Sequence, residues 1–101
     1  MLMAHYDVVP TDFSQWDKDP FDGVIENEVI WGRGALDTKC TLFGIMEAAE
    51  KLIAEGFVPE NDIYFSFSGE EETDGDSTQM IVSYFAGKGI KIGRASCRER
   101  V

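Results

Sequence analysis

The chain has 101 residues, of which 44% are hydrophobic and 28% charged. These are the proportions of a globular protein, not of a disordered or fibrous one. Nine basic residues against nineteen acidic ones leave a net charge of −10, which argues against a nucleic-acid binder and against docking on an anionic membrane surface.

No apolar run reaches the ~20 residues that a bilayer span needs, and the opening MLMAH does not read as a signal peptide. Cys40 and Cys97 fit neither a zinc spacing nor a disulfide framework, so a reduced, cytoplasmic setting is expected.

In chain order, Met1–Ala4 reads as a buried strand that runs out at His5. Residues 10–22 form a loop rich in Pro, Asp and aromatics. Gly23–Ile30 reads as a hairpin, with Glu26 and Asn27 in its turn and Val29, Ile30 and Trp31 on the second arm. The run from Gly32 to Ala35 is a tight turn. Leu42, Ile45, Met46, Ala49, Leu52 and Ile53 then recur at steps of three and four, the stripe of an amphipathic helix that stops at Gly56. Asp62–Ser68 alternates, with Ile63, Phe65 and Phe67 on one side, and reads as a strand. An acidic turn follows, then a helix carrying Met80, Ile81, Tyr84 and Phe85 and fading at Gly87 and Gly89. Lys88–Lys91 is expected to lead into a further strand. Strands alternate with helices, so the class is α/β.

Three places could carry chemistry, each where a strand ends or turns into a helix, the position at which ligands collect in open α/β sheets. His5 and Asp7 stand two residues apart and face the same side of an extended chain. A metal-bound imidazole commonly gives its other N–H to a carboxylate. Asp37 suits either an N-cap for the helix that follows or an inward-pointing metal ligand. Its neighbours Arg33 and Lys39 read as surface charges. Residues 70–76 hold five acidic groups, Glu70, Glu71, Glu72, Asp74 and Asp76. Such crowding requires a cation or full solvation. Asp17, Asp19 and Glu28 mimic the spacing of a calcium loop, but Asp22 stands where that loop needs glycine, so no EF-hand is present.

Together, HYDVVP, WDKDPF, WGRGALDTK, a helix ending in EG, and SGEEET closely resemble the dizinc peptidase/deacylase family of carboxypeptidase G, aminoacylase-1, acetylornithine deacetylase and succinyl-diaminopimelate desuccinylase. The resemblance runs from about Met1 to Lys91. It implies a partial catalytic domain, a mixed and mostly parallel sheet flanked by helices. It makes His5 a ligand of the first zinc ion, Asp7 the carboxylate that orients His5, and Asp37 the bridge between two zinc ions. Glu71 matches the general base and Glu72 a ligand of the second zinc; the triple glutamate leaves Glu70/Glu71 as the alternative base/ligand pair. Cys40 stands where the family commonly has glycine.

The implied reaction is hydrolysis of amide bonds in small peptides or N-acyl amino acids by a water activated between two Zn2+ ions, with Co2+ or Mn2+ as substitutes. No nucleic-acid or membrane partner is expected. The family has two further ligands and a smaller inserted domain with dimer contacts, none of which lies in this chain. The parent protein is therefore expected to be an enzyme, homodimeric through that absent domain, and the 101-residue piece inactive. The rival reading is a metal-free acidic binding module.

The closing segment 92–101 carries three basic residues and one acidic residue, while the preceding 91 residues carry a net −12. Its sequence IGRASCRERV also looks like one frame of a sequencing adapter. Residues 1–91 are read as the partial catalytic domain, truncated at both ends, and residues 92–101 as a non-native tail.

Overall fold

The computed structural model describes residues 1–96. Cys97 and the remainder of the closing segment lie outside the described residues, and so does that part of the tail reading.

Strand β1 (Leu2–His5) pairs in parallel with the strand that follows the first long helix, Phe65–Ser68. The register sets Leu2 opposite Phe65 and His5 opposite Ser68. Between them come a hairpin, β2 (Val24–Glu26) and β3 (Val29–Trp31), and helix α1 (Cys40–Ala54). The Phe65–Ser68 strand is β4, and helix α2 (Asp76–Gly87) follows it. Parallel pairing across a helical crossover is the α/β arrangement expected from the pattern.

Both helices end as their glycines require. Gly56 sits at φ 75° and Gly89 at φ 67°. The N–H of Gly56 reaches the carbonyl of Ile53, and that of Phe57 reaches Leu52. The same pair of bonds closes α2, from Gly89 to Ala86 and from Ile90 to Phe85. These bonds satisfy the last carbonyls of each helix while the left-handed residue turns the chain away.

Three details differ from the sequence reading. The hairpin turn is Asn27-Glu28, one residue later than expected, because both residues take left-handed φ (50° and 62°) and Glu26 pairs with Val29. The strand expected over Asp62–Ser68 is regular only over Phe65–Ser68. After Lys91 there is no strand among the described residues, only a single parallel bridge between Ser96 and Leu2.

Ile63 and Phe65 line an apolar cavity of about 320 Å3 together with Ile45, Ala49 and Leu52 of α1. Tyr64, on the alternate side, meets Phe85 of α2 edge to face at 5.1 Å. The two helices thus flank opposite faces of the strand pair. The core between them is slight: among the described residues the buried hydrophobic ones are Ala4 and Leu42, with Pro20 fully enclosed in the loop before the hairpin.

Candidate metal centre

Three segments meet at the carboxyl ends of β1 and β4. The first is the β1 exit, His5-Tyr6-Asp7. The second is the Gly32–Lys39 turn, and the third is the acidic turn after β4. His5 is buried at 6% exposure, and each of its ring nitrogens has a defined partner.

Nδ1 lies 3.2 Å from the main-chain carbonyl of Asp7 and 3.3 Å from its Oδ1. A carbonyl can only accept, so Nδ1–H is the donor. Nε2 lies 3.3 Å from Asp37 Oδ1 and 3.8 Å from Glu71 Oε2. Among the described residues, His5, Glu71 and Glu72 form a group whose donor atoms all fall within 4.8 Å of one another.

Asp7 is held from the far side. The N–H of Glu72 donates to its Oδ2 at 3.0 Å. Burial pushes the Asp7 carboxyl upward. The backbone N–H groups of Glu72 and Glu71, its own N–H and the charge of His5 outweigh that burial and leave the carboxyl below its usual value.

Asp37 is not a helix cap. Helix α1 begins at Cys40, and Lys39 occupies the cap position with helical torsions and no side-chain capping bond. Residues Ala35–Lys39 form a wide helical turn broken at Asp37 (φ −114°, ψ 91°) and Thr38 (φ −141°, ψ 32°). The Asp37–Thr38 peptide is cis. Asp37 lies at the non-helical torsions, with its carboxylate 3.3 Å from His5 Nε2.

A match to the peptidase family M20/M25/M40 covers residues 1–97. This chain belongs to that family.

Among relatives, the M20 chain is 44% identical over 78 residues to a probable carboxypeptidase S-like 2 of Dictyostelium discoideum. It is 33% identical over 92 residues to the human N-fatty-acyl-amino acid synthase/hydrolase PM20D1. It is 41% identical over 80 residues to carboxypeptidase S of Saccharomyces cerevisiae. Those alignments cover 76%, 91% and 74% of the chain but only 15%, 18% and 14% of the relatives. The chain thus spans less than a fifth of the length of the proteins it matches. Hydrolase membership is the shared content of these names.

All five residues singled out in the sequence, His5, Asp7, Asp37, Glu71 and Glu72, come together in the M20 chain. Glu71 and Glu72 join His5 in the group of donor atoms, and neither Glu70 nor Asp37 is among its members. Lys39, read from sequence as a surface charge, is half-buried and donates to the carbonyl of Tyr6 at 2.9 Å. Composition and spacing carry no signal for such a contact.

The donor set fits a divalent ion. With one proton on Nδ1, His5 faces Asp37 Oδ1 through Nε2, and two lone pairs would meet there unless the ring carries a second proton or a cation lies between. Two donors at ~2.0–2.2 Å from one tetrahedral ion stand roughly 3.3–3.5 Å apart, and the observed separation is 3.3 Å. Asp7 Oδ1, facing the Nδ1 side of His5, and Thr38 Oγ1 are buried without a hydrogen bond. Imidazole nitrogen with carboxylate oxygens is a donor set suited to zinc.

Proposed function

We propose that this chain forms the first part of the metal centre of a hydrolase that cleaves amide bonds in small peptides or N-acyl amino acids. The observation that carries the reading is the two-sided anchoring of His5, with Nδ1 tied to Asp7 and Nε2 turned to Asp37 and Glu71. Carboxypeptidase and acyl-amino-acid hydrolase names among the relatives support both substrate classes.

In this reading His5, Asp37 and Glu72 would hold zinc. Zinc supplies Lewis acidity, polarising a carbonyl and making water a better nucleophile near neutral pH. Asp7 fixes the ring orientation of His5 and raises its basicity as a ligand. Glu71, 58% exposed at its side chain, is free to reach a substrate. It accepts a proton from the attacking water and delivers it to the leaving nitrogen. The water oxygen forms the new bond to the acyl carbon, the C–N bond breaks, and the products are a carboxylic acid and an amine.

Metal analysis of the purified chain tests this. Stoichiometric zinc, lost in His5→Ala and in Asp37→Ala, is the expected result. An unmodified chain that takes up no zinc overturns the reading and favours a metal-free acidic module. The 101-residue chain is expected to hydrolyse an N-acyl amino acid no faster than its Glu71→Gln variant, because it supplies three ligands only.

A further inference from the structure

The β1 exit and the acidic turn are tied through Asp7, whose Oδ2 accepts from the Glu72 N–H. Asp37 reaches the same place from the Gly32–Lys39 turn, and the carboxylates gathered there repel one another. Something other than the imidazole must hold that turn against the β1 exit.

The side chain placed to do so is Lys39. Its ammonium donates to the carbonyl of Tyr6 at 2.9 Å. That carbonyl belongs to the peptide unit joining Tyr6 to Asp7, between the two residues that define the His5 anchor. The ammonium lies against Gly34, where a Cβ would stand 2.9 Å from Nζ, and the Lys39 N–H donates to the Gly34 carbonyl at 3.0 Å. Lys39 thus grips its own turn by the main chain and the β1 exit by its side chain, with Asp37 two residues away.

We propose that Lys39 is a positioning residue that sets the 3.3 Å approach of Asp37 to His5 and thereby the geometry of the metal ligands. The inference rests on the metal-centre reading above, and its sign separates it from a plain charge effect. A lysine acting only through its charge would repel a nearby divalent ion, so its removal would tighten zinc binding. A positioning lysine does the opposite.

The test uses the 101-residue chain and two readouts. One is zinc affinity by chelator competition. The other is the ring-nitrogen NMR signals of the metal-free protein, unambiguous because His5 is its single histidine. Lys39→Met is expected to shift the His5 signals and weaken zinc about tenfold or more, the usual cost of losing a partner that orients a ligand. Lys39→Arg, which keeps a cationic donor, recovers part of both. Lys51→Met makes the same charge change on the exposed face of α1 and moves neither.

Tighter zinc binding or unmoved His5 signals in Lys39→Met overturns the proposal. Should the unmodified chain bind no zinc while Lys39→Met still shifts His5, the positioning role stands and the metal reading falls. Equal zinc binding by both chains with His5 unmoved has the reverse meaning.

Discussion

His5 and Asp7 divide the work of one site between a ring and a carboxylate. Alternation along an extended strand places residues 5 and 7 on one side, so their meeting was legible from spacing alone. The tie itself runs partly through the Asp7 carbonyl, which no side-chain pattern encodes. The depressed Asp7 carboxyl has a consequence for pH. A group whose folded pKa lies below its unfolded one adds stability above the unfolded value and loses it as pH falls through the folded value. Acidification from about pH 4 downward is therefore expected to destabilise the chain, and Asp7→Asn to flatten that acid limb. Urea midpoints at pH 5 and pH 3 for both proteins check this. An equal drop in the two would mean that the Glu72 N–H contact does not hold the charged form.

At the level of elements, the clearest gain over the sequence is the Gly32–Lys39 turn. An acidic residue shortly before an amphipathic helix reads equally well as a cap or a ligand, because both need a short carboxylate at that place. The helix start at Cys40 removes the cap reading. Gly34 makes the turn possible: it sits at φ 78°, and a Cβ there would overlap Val8 Cγ1. Gly34→Ala is expected to cost roughly 2–4 kcal/mol from the left-handed backbone and the overlap combined. Denaturant unfolding gives the number, and a loss under 1 kcal/mol would show that the turn relaxes easily.

The hairpin shows the opposite case, where sequence reasoning misplaced a turn by one residue. Asn27 is a natural left-handed residue, but Glu28 is not, and residue preference alone pointed to the wrong pair. The β4 segment also departs from simple alternation. Ser66 is buried while Phe65 stays 46% exposed, because helices lie on both faces of the strand pair and the face toward α1 is incompletely filled.

Over the whole molecule, burial is thin. The radius of gyration is 16.4 Å, against about 13 Å for a compact chain of this length. Ile53 is 75% exposed and Val58 84%, and an apolar cavity remains open between α1 and the strands. A two-stranded parallel pair is also short of the cover that parallel sheets require on both faces. The chain on its own is expected to dimerise through these faces. Light scattering coupled to size exclusion, followed by a thermal melt, tests this; a monodisperse monomer with a cooperative transition would contradict it. No described helix is long and apolar enough to cross a membrane, so these apolar faces do not make a span.

What the sequence determined by itself was local: the helix stripe of α1, the glycines that end both helices, the α/β alternation, and the residue types of the site in their order. Each follows from periodicity or from the torsions one residue permits. The tertiary structure alone decided which of those residues meet. The Asp37 turn, the ammonium bond from Lys39 to Tyr6, and the approach of Glu71 and Glu72 to His5 all depend on contacts between segments more than thirty residues apart. Such contacts arise from packing in three dimensions, and no linear pattern records them.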